Sequence, residues 1–315
     1  MFYWRTTFTI DSTERGRLDE LGISTLYVRY LDVEGWGFES LVPQQPIQTE
    51  GELRIRGLSI VPTVYIVPAA LRNDYDSSRL RAFAKKLVRY MMEVDTAIHQ
   101  AAGTSPRSHF ERVLLDYDWT PSTREVFFRL LRSVQELLPA TSVESTIRLW
   151  QYHNPLLAGI PPVKRGILMC YNMEPYDDPW TTNAVASIER FKQFVTTNAA
   201  EAYPVLLDIA YPIFRQSVHL PVGGDAWYSR RIIHTGLSIG RHVFPSDTMI
   251  DNEQIGSLDV IRVDGGTTDV LNAMREHAAR TIPNDRMVGT TLFAFDTVEI
   301  NRIGVSTLNS ILSER

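Results

Sequence analysis

Short apolar segments alternate with amphipathic stretches along this chain, and that alternation limits the fold more than any other feature. Residues 2–9, 25–32, 59–67, 112–119, 145–151, 166–172, 204–210 and 290–296 read as strands. Leu80, Phe83, Leu87, Met91, Val94 and Ile98 recur at helical spacing, as do Phe127, Leu130, Leu131, Val134 and Leu138. Asp11, Ser12 or Thr13 caps an earlier helix, and further helical stripes run through Val185–Val195, Val270–Ala278 and residues 303–312. The connection after the fifth strand carries Gly159 and Pro161-Pro162 and shows no good helix. Strands with helices between them predict a parallel sheet wrapped by helices, and eight strands close a (β/α)8 TIM barrel. The alternative is an open doubly wound sheet, but the Gly-rich turn that such a sheet uses for a dinucleotide is missing after the first strand. The expectation is therefore an α/β chain, one domain over residues 1–315. Residues 212–266 are too long for an ordinary connection. They are expected to form an elaborated loop over the strand C-termini, with Trp227, Tyr228, His234, His242 and Phe244 in it.

Composition narrows the function classes. At 44% hydrophobic and 22% charged residues, the chain is not a largely disordered one. A net charge of −5 gives no support to nucleic-acid binding. The single cysteine, Cys170, excludes an intramolecular disulfide framework and any multi-cysteine metal site. No apolar run approaches the ~20 residues of a membrane span. The first strand starts abruptly, which leaves open an export signal or lipid anchor removed ahead of it. The histidines lack H-x-x-x-H spacing, and Gly223-Gly224 and Gly265-Gly266 read as turns and not phosphate loops. No metal and no cofactor are expected, and the chain is expected to be a monomer.

In such barrels the active site lies at the C-terminal ends of the strands. Polar and aromatic residues expected there are Asp32 and Glu34; Asp116, Asp118 and Trp119; Trp150, Gln151 and Tyr152; Tyr171 and Asn172; Asp208 and Tyr211; and Asp296 and Glu299. Carboxylates and aromatics on one rim suit a sugar site, because aromatic faces stack on pyranose rings and carboxylates bind hydroxyls. Any one of these acids can equally be a helix cap. Asp116 and Asp118, two apart on a strand, point to the same side, which in a barrel is the interior. Two inward carboxylates are costly unless hydrogen-bonded or sharing a proton. Arg5, Arg29 and Arg148 fall within strands and are expected to pair with strand-end acids.

The strand order and the Asp116-Tyr117-Asp118-Trp119-Thr120 segment resemble the family 18 glycoside hydrolases, the chitinases and endo-N-acetylglucosaminidases. That family's fourth strand often ends D-x-D-W-E and its sixth carries M-x-Y-D. Here the sixth reads Met169-Cys170-Tyr171-Asn172, and Phe293 and Phe295 stand where the eighth strand supplies an aromatic floor. The resemblance implies a TIM barrel with a glycan cleft, in which Asp118 orients and Tyr171 hydrogen-bonds a substrate acetamide. It departs at three places: Thr120 replaces the proton-donating Glu, Val113 the first Asp of the longer motif, and Asn172 the sixth-strand Asp. The chain is also similar, at D-x-D-W-T, T-I-R-L-x-Q, M-x-Y-N and L-D-I-A-x-P, to bacterial proteins described as hypothetical lipoproteins.

Two functions follow as expectations: a hydrolase acting on an N-acetylhexosamine-containing glycan, or a glycan-binding barrel without catalysis. A scaffold with no sugar ligand is a third. Candidate catalytic residues are Asp116, Asp118, Asp208 and Asp296. Candidate substrate-binding residues are Trp119, Thr120, Trp150, Gln151, Tyr171, Asn172, Tyr211 and Glu299.

Overall fold

The computed structural model describes residues 1–34, 42–44, 46–71, 75–223, 230–232 and 236–313. Eight parallel strands follow one another around a barrel: β1 (Phe2–Tyr3), β2 (Thr25–Glu34), β3 (Ser59–Ile66), β4 (Arg112–Tyr117), β5 (Ser142–Arg148), β6 (Arg165–Met169), β7 (Leu206–Pro212) and β8 (Met287–Phe293). Seven ladders join them in chain order. The last strand meets the first where Phe295 N–H donates to Phe2 O at 2.8 Å. The chain is thus a (β/α)8 barrel.

Barrel strands are covered on both faces, so their sequences are apolar on both. On β4, Leu114 joins the inner cluster of Phe2, Tyr27, Val61 and Ile167. Val113, Leu115 and Tyr117, pointing the other way, join the larger core beneath the helices. Helices α1 (Ser12–Glu20), α2 (Ser77–Ala101) and α3 (Arg124–Leu137) follow β1, β3 and β4. Asp11 caps α1 in a capping box with Glu14, and Asp76 caps α2. The expected stripes of α2 and α3 are buried: Leu80, Phe83, Leu87 and Met91 on one, Phe127, Leu130, Leu131 and Val134 on the other. No helix among the described residues is long and apolar enough to cross a membrane.

Several boundaries move. The expected first strand, residues 2–9, breaks in two. The Tyr3 hydroxyl bonds Thr7 O and the Thr9 backbone, turning the chain back on itself. Thr7–Ile10 then pairs with Gln48–Leu53 outside the barrel. The fifth strand ends at Arg148, because the Gln151 side chain accepts from Arg148 N at 2.7 Å and starts helix α4 (Leu149–His153). A short α5 (Pro155–Ala158) follows, in a connection expected to lack helix. The eighth strand begins three residues earlier than expected, at Met287. Its small residues suit the close approach to β7: a Cβ on Gly289 would lie 2.3 Å from Asp208 Oδ1.

Helices α6 (Ile188–Phe194) and α7 (Thr197–Ala202) separate β6 from β7. After β7, the segment at 212–266 folds as a small antiparallel sheet of Arg215–Leu220, Arg230–Ile232, Gly240–Val243 and Val260–Gly265. Ile255, Ile261 and Val263 form its core, with Phe244 packed against them. Trp227, Tyr228 and His234 lie outside the described residues. Helices α8 (Thr268–Thr281), α9 (Thr297–Ile303) and α10 (Val305–Ser313) complete the ring.

Candidate functional site

Inward-facing side chains form a polar layer at each end of the barrel, with the apolar inner cluster between them. At the N-terminal end, Arg112 holds Glu144 (2.6 and 2.9 Å), while Arg165 holds Asp208 with contacts of 2.6 and 2.9 Å. The Tyr27 hydroxyl donates to Asp208 at 3.1 Å and accepts from Arg112. Asp208, expected at the C-terminal rim, is therefore at the opposite end of the barrel from Asp118. It is the third residue of β7 and is consumed by this ion-pair network.

The C-terminal end carries a second set. Asp116, fifth of the six residues of β4, is buried and accepts from Thr146 Oγ1 at 2.7 Å. Burial, and next the charge of Asp118, push its carboxyl up to about 7. Asp118 receives both arms of Arg148, at 2.7 and 2.6 Å. Arg29 pairs with buried Asp32, and its guanidinium lies over Trp4 (5.2 Å) and Tyr65 (5.5 Å). Two of the three expected pairings of arginine with strand-end acids form here, whereas Arg5 pairs with Glu14 of α1.

Tyr171 stacks on Phe293 with ring centroids 4.6 Å apart, and Phe214 and Trp4 meet the same Phe293 ring edge-on or tilted. Burial and the nearby Asp116 raise the Tyr171 phenol well above its ordinary range. A cleft of about 360 Å³ opens on the Tyr171 side of this cluster, lined by Asp118, Trp119, Thr120, Arg148, Trp150, Tyr171, Asn172, Met173 and Phe194 among others. Asn172 adopts a left-handed φ of 53° three residues beyond the end of β6.

Other expected residues belong to the framework. Trp119 borders the cleft, but its side chain is fully buried, stacks on Phe127 and donates to Ala158 O at 2.9 Å, so its indole cannot stack on a ligand. Gln151 is also fully buried, clasping Trp119 O to the start of α4. Tyr211 lies in the core beneath the helices and not in the barrel interior. Asp296 is the N-cap of α9, accepting from Val298 N and Glu299 N. Glu299 is buried between Arg215 (2.8 Å) and Arg302 (2.5 Å). Phe295 packs against Tyr3, away from Phe293. Trp4, Tyr65, Thr146 and Phe214 were missed as site residues. Period-two counting back from Arg148 would have found Thr146; Trp4 lay hidden inside an overlong strand.

His219 pairs with Asp259 at 2.8 Å, and His242 bonds Ser238 O. Among the described residues, no group of three His, Cys, Asp or Glu side chains converges to hold a metal ion. Cys170 is buried, and that burial raises its thiol.

No family model matches the chain, and no curated protein matches it. Among solved structures, it is similar to a β-1,4-mannanase of glycoside hydrolase family 113, with TM-score 0.49 and 10% identity over 96% of this chain and 91% of the other. It is also similar to a candidate chitinase A from Streptomyces coelicolor, with TM-score 0.46 and 9% identity over 91% and 89%. The C-terminal domain of ChiA from Legionella pneumophila gives TM-score 0.38 and 9% identity over 94% and 92%. At these scores the likeness is one of general barrel shape and carries nothing about chemistry.

Proposed function

We propose that the cleft at the C-terminal end of this barrel binds an N-acetylhexosamine-containing glycan without hydrolysing it. The observation that carries this reading is the Asp118–Arg148 pair beside Thr120. A glycosidase needs a carboxyl poised to give a proton to the leaving oxygen. Asp118 is neutralised by a guanidinium, and Thr120 has a hydroxyl of no usable acidity. Binding does not need that proton. The half-buried Trp150 offers an apolar face to a pyranose ring, while Asp118, Arg148 and Asn172 offer hydrogen bonds to hydroxyl and acetamide groups.

Hydrolysis with Asp116 as the donor is the second reading, favoured by the carboxyl pushed up to about 7. A glycan array followed by a reducing-end assay on each bound glycan separates the two. Binding with no turnover is the expected result. Turnover by the unmodified protein, abolished in Asp116→Asn, would establish the second reading, and an empty array would defeat both.

A further inference from the structure

The interior of a (β/α)8 barrel is ordinarily filled with side chains. Here the N-terminal mouth stays open. A cavity of about 630 Å³ lies between the turn after α1, the first residues of β8 and the polar layer of Tyr27, Arg112, Arg165 and Asp208.

Hydrogen-bonding capacity in that layer is unevenly used. Both oxygens of Asp208 are taken, by Arg165 Nε (2.9 Å) and Nη2 (2.6 Å) and by the Tyr27 hydroxyl (3.1 Å). Both oxygens of Glu144 are taken by Arg112 Nε (2.6 Å) and Nη2 (2.9 Å). Among the described residues, no acceptor meets Nη1 of either arginine. A guanidinium is a rigid planar fork, so the two-point grip on each carboxylate also fixes where its Nη1 lies. The two side chains are 20% and 30% exposed, and both line the cavity. Thr291 adds a third group. It is the next inward residue of β8 after Gly289, and it lines the same cavity. Its side chain is buried, and its hydroxyl has no hydrogen-bond partner. The carboxylates are saturated and the donors are left over, so this layer suits a ligand that accepts hydrogen bonds and offers nothing to a cation.

We propose that the N-terminal mouth of the barrel is a second binding site, in which Nη1 of Arg112 and of Arg165 hold the carboxylate of a small hydroxylated acid. The side-chain charges of Arg112, Arg165, Glu144 and Asp208 cancel, so a monoanion adds one negative charge against fixed donors. A dianion such as phosphate would bring a second charge up to Asp208 and Glu144. The cavity has the volume of a small-molecule site and is larger than a bare ion needs. Ser24, Thr25 and Thr290 on its wall suit hydroxyl groups on the ligand. The donors are held in place before any ligand arrives, which lowers the ordering cost of binding. This site is independent of the glycan reading of the cleft at the opposite end.

The test is calorimetric titration of the full chain with D-gluconate at constant ionic strength. Gluconate is expected to bind one-to-one, and an equal concentration of D-glucose or inorganic phosphate is expected to leave that titration unchanged. Arg165→Lys keeps a cation against Asp208 and removes Nη1, and it is expected to weaken gluconate about tenfold. Thr291→Val keeps the shape and removes the unpartnered hydroxyl. It is expected to weaken gluconate severalfold without lowering the melting temperature. Trp150→Ala, at the other mouth, is expected to leave gluconate affinity unchanged. The inference is overturned if gluconate shows no saturable binding or is displaced equally well by glucose or phosphate. It is also overturned if gluconate binding survives both Arg165→Lys and Thr291→Val, or is lost in Trp150→Ala.

Discussion

Arg148 grips Asp118 through two parallel hydrogen bonds of 2.7 and 2.6 Å, joining the neighbouring ends of β4 and β5 at the mouth of the barrel. The planar guanidinium matches the two carboxylate oxygens, and Arg148 N–H is itself held by Gln151. Arg148→Met removes one partner and leaves Asp118 facing buried Asp116. Both paired side chains are partly exposed, at 24% and 33%, so the cost is about 1–3 kcal/mol and not the full penalty of a buried pair. A double-mutant cycle with Asp118→Asn, followed by chemical denaturation, is expected to recover part of the loss. Strict additivity of the two variants would show that the pair has no coupling.

Asp116 makes stability fall as pH rises. Its carboxyl titrates at about 7 in the folded chain against 3.8 ordinarily. Between those values the folded state binds the proton that the unfolded state has already lost, so stability decreases with pH across that window. It is fully present below the lower value and gone above about 7. Asp116→Asn keeps the shape and cannot ionise. Melting temperatures measured from pH 4 to pH 8 are expected to decline less steeply in that variant than in the wild-type protein. Parallel curves would mean that Asp116 does not hold a proton.

Asp208 is expected to matter for stability and not for the glycan cleft. Asp208 is almost fully buried and answers Arg165, Arg112 and Tyr27. Asp208→Ala leaves those groups without their acceptor, at a cost of about 3–5 kcal/mol. Because Asp208 is at the far end of the barrel, glycan affinity at a temperature where the variant is folded should not change. A drop in affinity with the fold intact would place Asp208 in the site after all.

The barrel was legible in the sequence because two-sided burial leaves continuous apolar runs, and all eight strands lie within or overlap those runs. Their ends were harder to read, since a strand stops where a side chain captures the backbone. Tyr3 and Gln151 do this from positions that look like ordinary strand residues. The Asp116–Asp118 spacing placed two carboxyls inward, but Asp208 also faces inward and lies at the other end. Sequence periodicity reports which face a residue takes and not its height along the barrel axis. Trp119 shows a complementary limit: it borders the cleft, as the motif suggests, yet one step in register turns its indole into the core.

That contrast can be measured with two tryptophans. Trp119 is fully buried against Phe127 and Phe128, so Trp119→Ala is expected to cost about 3–5 kcal/mol of stability. Trp150 is half-buried at the cleft, and Trp150→Ala is expected to lower glycan affinity about tenfold with a small change in melting temperature. Reversed effects would mean that the cleft is walled by the other indole.

Thr120→Glu supplies the carboxyl that the chitinase-like motif lacks, and it is expected to yield no turnover of chitin oligosaccharides. Thr120 is exposed ahead of α3, its hydroxyl bonded to Ser122 (2.8 Å) and Thr123 (3.2 Å). A glutamate there loses those bonds and gains no partner to fix it over a glycosidic oxygen. Asp118, which would have to orient a substrate acetamide, stays bound to Arg148. General acid catalysis contributes ~10²–10⁴-fold only when the donor and its neighbours share one geometry. Reducing-end release should therefore stay at background in Thr120→Glu. It should stay there in Thr120→Glu/Asn172→Asp as well, because neither change frees Asp118. Measurable turnover by the single variant would show that Asp118 leaves Arg148 when substrate binds, and that one side chain is all that separates this cleft from a hydrolase.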